Sequence, residues 1–172
     1  MKNYYIFLDI DGVLWDWEYI KYITINQTKH HKIIQDFNPK SINTLNHLIN
    51  TMRKQKYNVT LVISSTWRNN MHFTIKKLYE NGLNFNCINI DIIDPNKNDI
   101  HRGKLIKEYL QDKINYDYVI IDDEMFDYKE ENLTNHLIKT NIMNNSLNRQ
   151  HLNNFLKKDR TIWQNKLCIF IT

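Results

Sequence analysis

Short apolar runs alternate along the chain with longer stretches in which apolar residues recur every three or four positions. The runs are Tyr4 to Leu8, Val59 to Ile63, Cys87 to Ile92, Tyr118 to Ile121 and Leu137 to Lys139. Near-continuous apolar runs of this length are what strands buried on both faces require, and their alternation with helical patterns predicts a parallel sheet covered by helices. Between the first two runs, Asn38-Pro39 opens a helix in which Ile42, Leu45, Leu48, Ile49 and Met52 share one face, with Pro39 suited to the first turn. A second helix covers Met71 to Asn81, with Ile75, Leu78 and Tyr79 on one side and Gly82 placed to end it. Gly103 precedes a third, carrying Leu105, Ile106, Tyr109 and Leu110, and Ser146 opens a fourth through Leu152, Phe155 and Leu156. Leu167 to Ile171 adds a candidate last strand. The fold class is therefore α/β, with three layers, a central parallel sheet of about five strands, and helices on both faces.

The stretch from Trp15 to Phe37 fits neither period. It follows the first strand directly, where a flap or small cap would sit, and it is too short for a full cap domain. With 172 residues, 3 Gly and 2 Pro, the chain has length for one good core and few natural linkers. One domain over residues 1–172 is expected, with 15–37 as an insert.

Composition narrows the class without naming a function. Hydrophobic residues make up 42% and charged residues 24%, close to the average for soluble globular proteins, so disorder and fibrous repeats are disfavoured. No apolar run approaches the roughly 20 residues that span a bilayer, and the start leads straight into an acidic strand pattern, so a soluble, cytoplasmic or otherwise intracellular protein is expected. Cys87 and Cys168 sit in apolar stretches without a companion at metal-ligand spacing, which reads as free buried thiols. A formal charge of +4 permits a polyanionic partner but does not demand one.

In open parallel sheets, ligands bind beyond the carboxyl ends of the strands. The first strand delivers Asp9, Asp11 and Gly12 there, the second Ser64, Ser65, Trp67 and Arg68, and the fourth Asp122 and Asp123, with Asp127 a little further on. His101-Arg102-Gly103-Lys104 enters a helix just before the fourth strand. Like charges so gathered cannot all ionise without compensation. An all-oxygen set with room for water and phosphate suits Mg²⁺. Asp9 can then attack phosphorus to form an aspartyl-phosphate, and Asp11 can protonate the leaving oxygen and later activate water. The charge on the transferring group is countered by Lys104 and by a hydroxyl from Ser64 or Ser65.

Asp9 to Val13 resembles the first motif, DxDGV, of the haloacid dehalogenase-like (HAD) superfamily. Val62-Ile63-Ser64-Ser65 is similar to the second motif, Lys104 to the third, and Ile120-Ile121-Asp122-Asp123 with Asp127 to the acidic fourth. The resemblance implies a Rossmann-like HAD fold and a phosphatase. It implies Asp9 as nucleophile and metal ligand, and Asp11 as general acid and base whose backbone carbonyl also meets Mg²⁺. A motif-two serine and Lys104 would hold phosphate, and Asp122 or Asp123 would hold the metal. More narrowly, Ser65-Thr66-Trp67-Arg68 and the tail from Asn144 to Leu156 resemble HAD-like domains of "Swiss Army Knife" RNA-repair proteins.

Each residue also has a plainer reading. Arg102 can take the phosphate in place of Lys104. Trp67 and Arg68 either hold substrate or pack against the neighbouring helix, and Trp15, Trp17 and Tyr19 either stack on a base or anchor the flap. His30-His31 and the lysine pairs at 76-77 and 157-158 read as solvated surface. Without a full cap the site is open, which favours a nucleotide or nucleic-acid end as substrate. A phosphoprotein or small metabolite, or a catalytically silent binding module, are the alternatives.

Overall fold

The computed structural model describes residues 1–26, 37–86, 88–97 and 101–158. Cys87, Cys168, the strand expected over Leu167 to Ile171, the His30-His31 pair and most of the second half of the expected flap lie outside them.

Five parallel strands form one sheet in the order β3-β2-β1-β4-β5. They are β1 (Asn3–Leu8), β2 (Asn58–Ile63), β3 (Asn89–Ile92), β4 (Tyr116–Asp122) and β5 (Leu137–Lys139). The three central strands bury almost every side chain toward their carboxyl ends, as apolar runs covered on both faces must. β4 starts two residues before the expected Tyr118, because Asp117 breaks the apolar run while accepting from the Tyr57 hydroxyl at 2.6 Å.

Two cores lie on opposite faces of the sheet. One gathers Ile6, Leu8, Leu61, Ile63 and Ile121 with Ile42, Leu45, Leu48 and Ile49 of helix α2 (Pro39–Lys54), Leu78 of α3 (Met71–Glu80), and Leu152 and Phe155 of α5 (149–158). The other gathers Phe7, Val62 and Ile120 with Leu105, Ile106 and Leu110 of α4 (Arg102–Leu110) and with Tyr128 and Leu133. This is the expected helix–sheet–helix sandwich. α2 begins as its sequence predicts, with Pro39 in the first turn and the Asn38 side chain accepting from the Lys40 amide at 3.0 Å.

Three helix starts also differ from expectation. Trp17–Asn26 is a helix, α1, where neither period was legible. Asp16 starts it, buried, with Oδ1 accepting from the Tyr19 amide at 2.7 Å and Oδ2 from the Ser146 amide at 2.9 Å. α5 begins at residue 149 instead of beside Ser146, because Asn148 is its cap, accepting from the amides of Gln150 and His151 at 2.9 and 3.2 Å. α4 begins at Arg102, so Gly103 lies inside its first turn. No described helix is long and apolar enough to cross a membrane.

Candidate active site

Strand order reverses at β1, whose neighbours β2 and β4 lead to opposite edges, so the crevice beyond β1 is the ligand position of such a sheet. Register decides which side chains face it. Phe7 pairs with Val62 and Ile120, and Leu8 with Ile63 and Ile121. Pairing continues past the strands, since the Ser64 amide donates to Leu8 O and the Asp9 amide to Ile121 O. Side chains alternate faces with a period of two. Asp9, Ser64 and Asp122 therefore form one row, on the face of Phe7, Val62 and Ile120.

Asp9 is 5% exposed and Asp122 0%. Carboxylate oxygens of Asp9, Asp122 and Asp123 lie within 4.8 Å of one another. Arg102, 4% exposed, reaches into this cluster from the first residue of α4. Its Nη1 donates to Asp9 Oδ1 and to Asp122 Oδ2, each at 2.7 Å, while its guanidinium carbon lies 4.2 Å from the centre of the Phe126 ring. Asp122 is held further by the Tyr128 hydroxyl at 2.8 Å and the Glu124 amide at 2.8 Å.

One guanidinium does not neutralise three carboxylates, and the acidities record this. Burial, then the Asp122 charge, pushes Asp9 well above the ordinary carboxylate range, against the opposing pull of Arg102. Asp123 is pushed up to about 6 by burial and by Asp122 and Glu124, with Lys139 opposing. Burial alone would lower Arg102, but Asp122 and Asp9 outweigh it and raise it. The donor set is all oxygen and carries unbalanced negative charge, so the residues fit a hard divalent cation such as Mg²⁺.

Gly12 makes the close approach possible. Its φ is +70°, and a Cβ there would stand 2.4 Å from both Cγ and Oδ2 of Asp123. The Lys139 ammonium meets the Asp123 backbone carbonyl.

The other expected site residues fall into distinct places. Ser64 is fully buried and its hydroxyl has no partner among the described residues. Ser65 instead caps the 3-10 turn Thr66–Asn70, its hydroxyl accepting from the Trp67 amide at 3.4 Å. Arg68 is buried, and it donates to the carbonyls of Ser64 and Ser65 at 3.0 and 3.1 Å and to Lys97 O at 3.0 Å. Lys104 has an exposed side chain, and its backbone amide, with that of Gly103, donates to the Asp127 carboxylate at 3.0 and 2.6 Å. Asp127 is thus bound to the start of α4. Asp11 lies beside the row, bonded to the indoles of Trp15 and Trp67. Trp17 is 52% exposed and packs edge-on against Trp15 at 5.5 Å.

Sequence reasoning passed over Tyr128 and the two indole donors. Tyr128 carried a faint signal, six residues past Asp122 in a segment otherwise dense in charge; the indoles carried none as donors.

The sequence profile described as "HAD domain in Swiss Army Knife RNA repair proteins" matches residues 5–152. No curated protein and no solved structure matches the chain.

Proposed function

The chain belongs to the family of HAD domains in Swiss Army Knife RNA repair proteins, and on that premise we propose that it is a Mg²⁺-dependent phosphomonoester hydrolase working through an aspartyl-phosphate on Asp9, with a nucleotide or polynucleotide end as substrate. The family points to a phosphatase-type hydrolase. The observation that carries the finer reading is the row of Asp9, Ser64 and Asp122 at the strand-order reversal, with Asp123 beside it.

Asp9 supplies the nucleophilic oxygen. Mg²⁺, held by Asp9, Asp122 and Asp123 with the Asp11 backbone carbonyl, would keep Asp9 ionised despite its burial and draw negative charge from the transferring group. The free hydroxyl of Ser64 suits a phosphate oxygen, since a buried hydroxyl without a partner is costly until a ligand supplies one. Ser65 serves that loop as a cap. Arg102 already has its guanidinium against Asp9, whereas Lys104 would approach phosphate from solvent. Asp11 gives a proton to the leaving oxygen and takes one from the water that releases phosphate.

Support for a large substrate comes from the surface beyond α1. A cleft of about 700 Å³, separate from the acidic row, is lined there by Tyr19, Tyr22, Lys40 and Asn144 together with the acidic Asp16 and Glu18. Tyrosines offer faces for bases, a lysine offers a phosphate contact, and amides offer base-edge contacts. Exposed Trp17 precedes these tyrosines on the same helix.

The test is phosphate release from nucleoside monophosphates, oligonucleotides with 3′ or 5′ phosphates, phosphopeptides and sugar phosphates, with Mg²⁺ and with excess chelator. Chelator-sensitive release, lost in Asp9→Asn and fastest on a nucleotide or oligonucleotide end, is expected. Turnover that survives either treatment refutes the mechanism, and preference for a phosphopeptide or sugar phosphate refutes the substrate. A second reading draws on the pairing of Arg102 with both Asp9 and Asp122, which a catalytically silent binding module would also use to neutralise its buried acids. Absence of release from every substrate favours it.

A further inference from the structure

Two tryptophans from separate segments converge on one carboxylate. The Trp15 indole N–H donates to Asp11 Oδ1 at 3.0 Å. The Trp67 indole N–H donates to the same oxygen at 3.1 Å and to Oδ2 at 3.1 Å. An indole nitrogen donates and never accepts, so this contact recognises an acceptor oxygen.

Both rings are themselves fixed. Trp67 lies in the turn after β2, between Phe37 at 5.7 Å and Phe73 at 5.8 Å, and its backbone carbonyl accepts from the Thr74 hydroxyl at 2.8 Å. Trp15 packs against Trp17, and its backbone forms an isolated bridge with Asp11 itself. Packing of Trp15 in the flap and of Trp67 against Phe73 fixes the two rings, and each indole N–H then meets the same carboxylate.

A carboxylate oxygen offers about two lone pairs. Those of Oδ1 are met by two indoles, whereas among the described residues Oδ2 receives only the second arm of Trp67. We propose that Trp15 and Trp67 are positioning residues that pin the Asp11 carboxyl plane through Oδ1 and leave Oδ2 as the oxygen that carries the proton. The inference rests on the aspartyl-phosphate reading above. In the first step an Asp9 oxygen bonds to phosphorus, the bond to the leaving oxygen breaks, and that oxygen takes the proton from Asp11 Oδ2. In the second step water bonds to phosphorus and gives a proton to Oδ2 as the Asp9–phosphorus bond breaks and phosphate departs.

The test uses Trp15→Phe and Trp67→Phe, which keep an aromatic ring and remove the N–H. Each is assayed by kcat/KM on a nucleoside monophosphate, whose alkoxide leaves poorly, and on nitrophenyl phosphate, whose leaving group needs no proton. On the nucleotide each variant should lose about tenfold, within the roughly 10²- to 10⁴-fold that general acid–base catalysis contributes, and on nitrophenyl phosphate about twofold or less. In an Asp11→Asn background, Trp67→Phe should cost nothing further on the nucleotide, since the group being positioned is gone. Melting temperatures are measured alongside. An equal loss on both substrates, no loss on either, or a further loss in the Asp11→Asn background overturns the clamp while leaving the Asp9 reading intact. A wild-type protein that turns over neither substrate, or an Asp9→Asn protein of normal rate, overturns that reading and the clamp with it.

Discussion

Replacing Arg102 by Met tests the charge balance of the site directly. The native guanidinium is buried and bonds Asp9 and Asp122 at 2.7 Å each. Met fills much of the same space with no charge, so two buried carboxylates lose their shared counter-ion. Breaking a buried pair from one side typically costs about 3 to 5 kcal/mol, because the remaining charge is left uncompensated. For a domain of this size, about 2 to 4 °C of melting temperature accompanies each kcal/mol. The expected fall is thus on the order of 10 °C, read by circular dichroism without added metal. Asp9→Asn removes one of the stranded charges, so the Asp9→Asn/Arg102→Met pair should lose less than the sum of the single changes. Mg²⁺ should return part of the loss by supplying positive charge to the same oxygens. A melting temperature within about 1 °C of wild type would mean that these carboxylates do not depend on Arg102, and the electrostatic account would fail.

The remaining predictions concern the same crevice. Gly12→Ala places a Cβ 2.4 Å from the Asp123 carboxyl at a φ of +70°, adding about 1 to 2 kcal/mol of backbone strain. It should displace Asp123 and weaken Mg²⁺ binding by titration calorimetry; unchanged affinity would refute the close approach as a determinant. Asp123 is raised from 3.8 to about 6 in the fold, so between those values the native state holds more protons than the unfolded one and stability falls as pH rises. Without metal, the melting temperature of wild type relative to Asp123→Asn should drop from about pH 4 to 6, and the gain from Mg²⁺ should grow over that window. A flat difference would count against both. Trp17→Ala should raise KM for a nucleotide or oligonucleotide end by roughly the 1 to 3 kcal/mol of one stacking contact and spare nitrophenyl phosphate. A uniform loss with lowered melting temperature would assign the ring to anchoring α1.

Much of the fold was legible because strand and helix periods are local. β1, β2 and β5 lie where apolar runs predict, and α2 follows from Asn38, Pro39 and five apolar residues at helical spacing. The site row was legible for the same reason, since Asp9, Ser64 and Asp122 each stand just beyond or at the end of such a run. α1 was missed because Trp15, Trp17 and Tyr19 alternate with a strand-like period of two, although only the last two are helical. A signal was present in Asp16, an N-cap residue followed by Glu18 in the first turn. Contacts that join distant loops had no such signal. Trp67 meets Asp11 across 56 positions, and Arg102 meets Asp9 across 93, so both depend on how the turns after the strands travel.

The relation between Arg102 and Lys104 shows where a local pattern could have decided more. At about 3.6 residues per turn, positions two apart on a helix point roughly 200° from each other, so one of the pair can enter a crevice while the other leaves it. Phase follows from the apolar face. Leu105, Ile106 and Leu110 are buried, and counting back three and four residues from the first two reaches Arg102, which shares their side. Lys104 falls outside that stripe and is exposed. The Asp127 carboxylate fixes this phase by binding the amides of Gly103 and Lys104. Gly103 leaves room for that carboxylate, since a Cβ there would stand 2.9 Å from Asp127 Oδ1. The cap that orders the helix is therefore also what turns Arg102 inward toward the acids, and the position of the buried cation is a consequence of helix geometry before it is one of charge.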